Sequence, residues 1–503
     1  MIKKSAIAFL LMFPGSMAGA QEESQAPVSS EALAADAVVE RLDLDRVLEE
    51  PGVPWSIARI AQRAVQTVHL VGAADARVDQ AIATTQEARA AVIPRFDLIA
   101  RYTRLSQIDN ASIAPIPVDF DAARDVLAQV QDPAAQQLLG GQLDVLEGIA
   151  DSSIQVPRNN YNLRAVARYP LLQLFVQILP GIRAAQQGEL ASRFEANVVR
   201  NDVALDLIEI YMNHARARGA LAVAELALQQ AEENRQQADA LLRGGVGNLP
   251  DVARFEARVA AAERGRAEAR ADVEATANAL RTLLDLPGEG PLAFEERLTI
   301  VPEPELREER ENLVETAWEL RDEMQAASAL VRAREHAARA AKGSMAPTVG
   351  VEAGVDYGRP NPLFIPPIDD FRTSWDVSAV VGWSPDGTWS ASRAKERAVA
   401  AAAEAEQQRK QLRDLIRIEV VRAHAAYEAS FESVRAAKRQ VDAAEEAYAA
   451  KRRGFEVGVF DATEVIDAEV DVNRARLALI DAAARLRVRE SALRTAIGEH
   501  LWE

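Results

Sequence analysis

Four segments of the chain alternate between apolar and polar positions with the period of two that is typical of a β-strand. They lie at 92–102, 161–169, 349–357 and 375–383. The polar positions include the charged residues Arg95, Arg101, Arg164, Arg168, Glu352 and Asp376. A membrane strand of about ten residues shows this pattern, with one face toward lipid and one toward a wet lumen. A sheet that is half-buried in a soluble domain is the alternative.

The ends of these segments are rich in aromatic residues: Tyr102, Tyr161, Tyr169, Tyr357, Trp375 and Trp383. Aromatic girdles at both membrane interfaces are a feature of outer-membrane barrels. Four strands cannot close a barrel, because the smallest use about eight and lipid does not tolerate an open strand edge. If the strands span a membrane, several chains must each contribute four, so the pattern predicts an obligate oligomer.

The rest of the pattern is helical and comes in two lengths. Stretches 180–243 and 390–453 predict helices of roughly 90 Å, whereas 54–92, 251–286, 310–342 and 463–499 predict helices of roughly 50 Å. Each half of the chain thus offers one long helix and two that match it end to end. We predict a mainly α protein with membrane β-structure. The helices alone would fit a simple elongated coiled coil equally well.

The two halves are copies of one another. Gly245 and Val246 align with Gly458 and Val459, and Ala-Leu-Arg-Thr at 279–282 aligns with the same four residues at 492–495. Subtracting 245 from 458 gives one constant shift of 213 positions without a gap. This internal duplication predicts repeats at 54–286 and 310–503, joined by a linker at 287–309.

The N-terminal pattern predicts an exported protein. Residues 1–20 have two lysines, an apolar run and a small-residue end, which is the layout of a signal peptide, and 21–53 form a polar lead. No cysteine is present to carry a lipid anchor or a disulfide. Removing Lys3 and Lys4 from 58 basic residues leaves 56 against 76 acidic ones, a charge of −20. Such an acidic chain does not suit nucleic acid as a partner.

Enzymatic chemistry has little support in the sequence. The five histidines are far apart and have no metal-ligand spacing, so we expect no metal site and no cofactor. The glycine-rich stretch 244–247 lies between predicted helices and does not follow a strand, which is the context that a nucleotide-binding motif requires.

Several motifs resemble those of the TolC-like outer-membrane channels of bacterial efflux and type I secretion systems. The turn Phe-Glu-Val-Gly at 455–458 leads to Glu-Val-Ile-Asp-Ala-Glu at 464–469, and Gly245 leads to Asp251. Proline follows the strands before both long helices, at 170 and 385. The resemblance covers about 42–501. It implies a homotrimer with a twelve-stranded barrel in the outer membrane and a helical tunnel through the periplasm. It also implies a passive conduit that docks onto a periplasmic adaptor and an inner-membrane pump.

The resemblance places the two glycine turns at the periplasmic mouth, with Gly245, Val246, Gly458 and Val459 as the adaptor-docking positions. Glu464 and Asp467 share a face of the first helical turn, where a helix N-terminus stabilises negative charge. In a trimer they would form two acidic rings that attract cations. Asp251 is the first-repeat counterpart of Glu464 and is expected to constrain the neighbouring helix pair. Simple helix capping is the alternative for these acids.

At the mouth the chain departs from the family's pattern of a tyrosine and an arginine that latch it. Phe455 and Phe460 stand there instead, which predicts a hydrophobic constriction by Phe460. The link at 105–159 is much longer than the one at 358–372, and its stretches 119–131 and 133–149 predict two helices in an external loop. A periplasmic adaptor or coiled-coil scaffold without a pore is the alternative function.

Overall fold

The computed structural model describes residues 54–106, 111–112, 119–150, 153–154, 157–286, 292–294, 310–365 and 368–503. The predicted signal peptide (1–20), the lead (21–53) and, apart from 292–294, the linker 287–309 lie outside these residues.

Long helices dominate the described part of the chain. In chain order they are α1 (Ile57–Thr67), α2 (His69–Ala90), α3 (Phe120–Leu127), α4 (Pro133–Ala150), α5 (Leu179–Arg243), α6 (Leu249–Leu283), α7 (Arg310–Leu320), α8 (Asp322–Gly343), α9 (Pro385–Glu456) and α10 (Ala462–Ile497). With 65 and 72 residues, α5 and α9 are each roughly 100 Å long. Both predicted long helices are present, and α9 begins five residues before 390, at Pro385.

Two of the shorter helices are broken where the sequence predicted continuous ones. The stretch 54–92 divides at Val68 and the stretch 310–342 divides at Arg321, where the backbone is extended (φ −74°, ψ 122° and φ −61°, ψ 127°). The buried Arg321 guanidinium hydrogen-bonds Glu323 and Glu419, at 2.6 and 2.9 Å. A long-range contact such as the one with Glu419 outweighs a weak local helical preference, which is why the sequence pattern alone misses this break.

The four predicted strands form one antiparallel sheet, in the order β1 (Arg95–Arg104), β2 (Asn159–Pro170), β3 (Thr348–Arg359) and β4 (Arg372–Gly382). The register places Arg168 beside Arg95 and Glu352, and Glu352 beside Ser378. Because β2 belongs to the first repeat and β3 to the second, the sheet joins the repeats. In the described part of the chain, β1 and β4 each leave one edge without a partner strand.

The structure extends the internal repeat beyond the part that the sequence matched. Subtracting the first residues of α1 and α7, 57 from 310, gives a shift of 253, and the same shift relates both ends of α2 and α8. After the first loop the shift becomes 213, which relates Gly245 to Gly458. The difference between 253 and 213 means that the first repeat carries forty additional residues between its strands, and they include α3 and α4.

The helices are held together by separate apolar clusters. One packs α1 and α6 against α5 through Ile60, Leu207, Tyr211 and Leu280, and a second joins α7, α9 and α10. A third lies near the ends of the α5–α6 and α9–α10 hairpins and contains Phe255, Phe455 and Val465. The hairpin ends therefore have their own small core, and they contain the predicted mouth residues.

Candidate functional site: the hairpin tips and the charged face of the sheet

The two hairpin tips have the same backbone geometry. Gly245 and Gly458 both have φ +76°, a left-handed conformation that favours glycine. The amides of Val246 and Gly247 donate to the Leu241 carbonyl, and the amides of Val459 and Phe460 donate to the carbonyl of Gly454, 213 positions later. Both predicted docking turns are therefore built in the same way.

Exposed apolar side chains lie at both tips. Val246 is 79% exposed and Val459 is 69% exposed, and Leu249 and Val457 are exposed as well. Apolar side chains gathered at the end of a helical hairpin are a marker of a protein–protein contact. The predicted adaptor-docking positions are thus accessible in the single chain.

The helix that follows each turn begins with a capping residue that the sequence interpretation missed. Asn248 accepts a hydrogen bond from the Asp251 amide at 2.9 Å, and Asp461 accepts one from the Glu464 amide at 3.0 Å. The Glu464 carboxylate in turn accepts from the Asp461 amide, which completes a capping box. The hydrogen bond from the Glu464 amide lowers the pKa of Asp461. The spacing of polar residue and acid, three positions apart, was visible in the sequence.

The predicted acidic residues therefore differ in their local roles. Glu464 takes part in the capping box, and Asp251 receives a hydrogen bond from Asn248 Nδ2 at 2.7 Å and lies 3.7 Å from Arg254. Asp467, one turn further along α10, is exposed. Capping accounts for the positions of Glu464 and Asp251, and Asp467 is the acid whose charge faces solvent.

The two phenylalanines at the second tip also differ. Phe455 is buried and meets Phe255 edge-on, with ring centroids 5.4 Å apart, so it joins the two hairpins as a core residue. The half-buried Phe460 ring lies over Gly454, where an added Cβ would come within 2.3 Å of Phe460 Cδ2. In the single chain, the Phe460 ring covers the C-terminal end of α9.

A buried polar group links the hairpins behind the tips; we call it the Glu469 node. Glu469 of α10 is completely buried, and its Oε1 accepts hydrogen bonds from Arg258 Nε (3.0 Å) and Nη2 (2.8 Å) of α6. Asn234 Nδ2 of α5 donates to Glu469 Oε2 at 3.4 Å and to the Tyr448 hydroxyl of α9 at 3.1 Å. Burial raises the pKa of Glu469, and Arg258 and Asn234 offset part of that effect. Through Asn234, the buried carboxylate is thus linked to all four helices of the two hairpins.

Further polar side chains continue this layer along the same face of α10. The buried Arg476 donates to Glu445 of α9 at 2.7 Å. Neither amide atom of the buried Asn473 has a partner within the described residues. Along α10 these polar residues alternate with buried apolar ones such as Val472, which belongs to the small core at the tips.

The sheet has one charged face, and the register brings its charges together. Arg164 lies 2.9 Å from Asp356, 3.4 Å from Asp376 and 3.7 Å from Glu352. Arg168 bridges Glu352 at 3.0 Å and Asp97 at 2.5 Å. The predicted lumen residues Arg95 and Arg101 lie on this face as well, and both are exposed. Asp356, which is nearly buried, was not among the predicted lumen residues.

The opposite face of the sheet is apolar and exposed. Its exposed members include Phe96, Leu98, Leu163, Val355, Trp375, Val377 and Val381. An exposed apolar surface that extends over a whole sheet requires a nonaqueous neighbour. The pairing of an apolar face with a charged face agrees with strands that separate lipid from a wet interior.

No helix within the described ranges has the combination of length and apolar character that crossing a bilayer demands. In the same ranges, no three histidine or acidic side chains are grouped so that they could bind a metal ion.

Comparisons with known proteins agree on one architecture. The family model described as outer membrane efflux protein matches residues 313–499. Among solved structures, the outer-membrane channel OprN is 17% identical and aligns over 95% of this chain and 100% of its own, with a TM-score of 0.66. VceC of Vibrio cholerae is 16% identical and aligns over 89% of this chain and 97% of its own, with a TM-score of 0.65. The open state of Neisseria gonorrhoeae MtrE is 18% identical and aligns over 88% of this chain and 89% of its own, with a TM-score of 0.66. No curated protein sequence matches the chain.

Because these identities are low, the structural similarity establishes only the fold. The family model shows that the second repeat is similar in sequence to outer membrane efflux proteins. The matched structures are channels, and none of the comparisons supports a periplasmic adaptor or scaffold. Residues 313–499 match the outer membrane efflux protein family model, and the chain has the fold of the TolC-like channels.

Proposed function

We propose that this chain is the outer-membrane exit duct of a tripartite efflux or type I secretion system. Three copies would close a twelve-stranded barrel in the outer membrane and a helical tunnel that extends into the periplasm. A periplasmic adaptor and an inner-membrane pump would dock at the tunnel's end, and the pump would drive export through a passive conduit.

The observation that carries the proposal is the open-edged sheet. It has a charged face and an apolar face, and both outer strands lack a partner in the described part of the chain. Unpaired backbone groups in lipid cost several kcal/mol each, on the order of a lost hydrogen bond per group. Neighbouring copies that pair β4 with β1 would satisfy them and would enclose the charged face as a lumen.

The docking role rests on the hairpin tips. Their exposed valines, Val246 and Val459, stand beside the two left-handed glycines, so two similar apolar contacts recur in each copy. A trimer would present six of them, two from each of three copies. An adaptor whose own tips carry small apolar side chains would fit this arrangement.

The gate rests on the contacts between the hairpins. Separating α9 and α10 from α5 and α6 would break the Glu469 node and would hydrate its charges. A Phe460 constriction would additionally require the ring to leave Gly454 and point across the mouth. We therefore propose that the node keeps the mouth narrow at rest and that the free energy of docking opens it.

Planar-bilayer recording tests the channel and its acidic mouth together. The variant Glu464→Gln/Asp467→Asn removes both charges, and the Gln side chain keeps the capping hydrogen bond. We expect a small, cation-selective conductance in the wild type that loses selectivity in this variant. The control Glu263→Gln/Glu274→Gln, at exposed sites of α6, should keep the selectivity.

Unchanged selectivity in the charge variant would remove the acidic rings and leave the channel. Absence of any channel, with the protein recovered as a soluble elongated oligomer, would instead favour the scaffold.

A further inference from the structure

The additional residues of the first repeat form a helical hairpin. A short antiparallel ladder, Ala111–Ser112 with Ser153–Ile154, lies at its base. Above it, α3 begins at the capping residue Asp119, and α4 packs back against α3. Arg124 of α3 forms ion pairs with Asp144, at 3.2 Å, and with Glu147 of α4. The second repeat connects its strands without such a hairpin, so α3 and α4 are an addition to the duplicated fold.

The side of α4 that faces away from α3 carries an apolar stripe that is interrupted at one position, by Gln142. At 100° per residue, Leu138, Val145 and Ile149 fall in line, and Leu139 and Leu146 flank them. Leu138 is 68% exposed and Val145 is 63% exposed. The positions 135, 138, 142, 145 and 149 repeat with alternating steps of three and four, which is the spacing of a coiled-coil seam.

The composition of α4 argues against a lipid surface as the occupant of this stripe. Helices that lie on membranes have lysine or arginine on the polar face and tryptophan or phenylalanine on the other. No basic and no aromatic residue occurs between Pro133 and Ala150. Its two charges, Asp144 and Glu147, are both acidic and both engaged by Arg124. An anionic lipid headgroup would find no attraction there.

A second copy of the same helix fits the stripe better. The hairpin follows β1, whose free edge is where a neighbouring copy would join the sheet, so symmetry would bring equal hairpins together at the outer end of the barrel. Gln142 is a polar residue at one seam position, and such a residue fixes register and the number of helices. It can pair with its own copies, because an amide both donates and accepts hydrogen bonds.

We propose that the α4 helices of three copies pack through this stripe into a three-helix cap over the outer opening of the channel. This inference rests on the trimer of the proposed function and adds an external closure to it. The cap restricts entry from outside, at the end of the duct that lies opposite to the periplasmic mouth.

Cross-linking on intact cells tests the cap, because the chain has no cysteine of its own. Leu138→Cys and Val145→Cys each place one thiol in the seam, and Gln137→Cys places one on the exposed opposite side. With a short, membrane-impermeant tris-maleimide, we expect covalent trimers from the two seam variants. The Gln137→Cys control should give only the background amount.

A second variant separates the seam from the barrel. Adding Val145→Glu to Leu138→Cys should abolish the covalent trimer, while Gln137→Glu in the same background should not, and native mass should remain trimeric in both cases. Equal labelling of all three cysteine variants without covalent trimer, in a protein of trimeric native mass, would overturn the cap and leave the proposed function.

Two other outcomes are equally decisive. A Leu138→Cys thiol that is shielded from maleimide but never cross-links would identify lipid as the occupant and overturn the proposal. A monomeric native mass would overturn both the cap and the trimeric duct.

Discussion

The two repeats have equivalent helix boundaries and the same backbone conformation at their tips, but they differ in the burial and pairing of equivalent charged residues. In the first repeat, Glu256 is exposed and pairs at 3.0 Å with Arg235, which is also partly exposed. Shifted by 213 positions, these residues become Glu469 and Tyr448, and the second glutamate is completely buried. Its cationic partner, Arg258, comes from the first repeat.

The difference shows how a duplicated fold gains a function that one copy does not have. Two identical exposed pairs would leave the hairpins free to move independently. Because the second repeat buries its acid and takes Arg258 and Asn234 from the first, the hairpins are linked across the repeat boundary. The forty additional residues of the first loop are the second departure from symmetry, and they lie at the opposite end of the repeat.

The largest expected effect comes from removing the partner of the buried acid. Arg258→Met should destabilise the helical part by about 3 kcal/mol or more, because a buried charge is left unpaired. The midpoint of urea unfolding, followed by the helical circular dichroism signal, measures this loss of stability. The matched change Arg235→Met, in the exposed pair of the first repeat, should cost less than about 1 kcal/mol.

The double variant Arg258→Met/Glu469→Met should recover most of the lost stability, since apolar side chains of similar volume can replace a buried ion pair. Equal costs for Arg258→Met and Arg235→Met would show that the two repeats hold their charges alike.

The next largest effect is expected in the sheet, from arginine substitutions on the two faces of the same strands. Leu163→Arg or Val377→Arg should each impair insertion by about 2–4 kcal/mol, because the charge would face lipid near the midplane. Ser378→Arg, one position from Val377 and beside Glu352, should insert normally. The yield of folded protein in the outer-membrane fraction measures insertion of each variant. Normal yields for all three variants would contradict the assignment of the two faces.

The tip turns should respond equally in the two repeats. Gly245→Ala and Gly458→Ala each force a side chain into the left-handed region, which costs about 1–2 kcal/mol. The space around both glycines is open, so the cost is that of the backbone alone. The same denaturation series should give two values within about 0.5 kcal/mol of each other. A clear inequality would indicate that one tip has contacts that the other lacks.

The smallest effect concerns the C-terminal end. Burial lowers the pKa of His500, but hydrogen bonds with Glu503 and with Asp322, at 2.8 Å, outweigh it and raise the pKa. The stabilisation is therefore complete below the ordinary histidine pKa of about 6.5 and is lost as the pH rises through the raised value. The difference in Tm between wild type and His500→Gln should shrink as the pH rises from 6 to 9. A difference that is independent of pH would exclude this role.

The sequence predicted the elements whose pattern is local. Strands with alternating faces and the glycine turns follow from periodicity and backbone preference, and the structure has them where the pattern indicated. The breaks at Val68 and Arg321 and the buried Glu469 depend on side chains far away in sequence, and a local pattern has no information about them. The roles of the mouth acids stay predictions, and the capping by Asp461 could have been inferred from its spacing to Glu464.

Closure of one barrel by several copies can be tested by the native mass of the complex released from the outer membrane in mild detergent. Three copies are expected, because three four-stranded sheets pair every open edge and give the twelve strands of the proposed barrel. A stable single chain in the membrane fraction would exclude closure by several copies, since β1 and β4 would then present unpaired edges to lipid. Two or four copies would contradict the threefold arrangement.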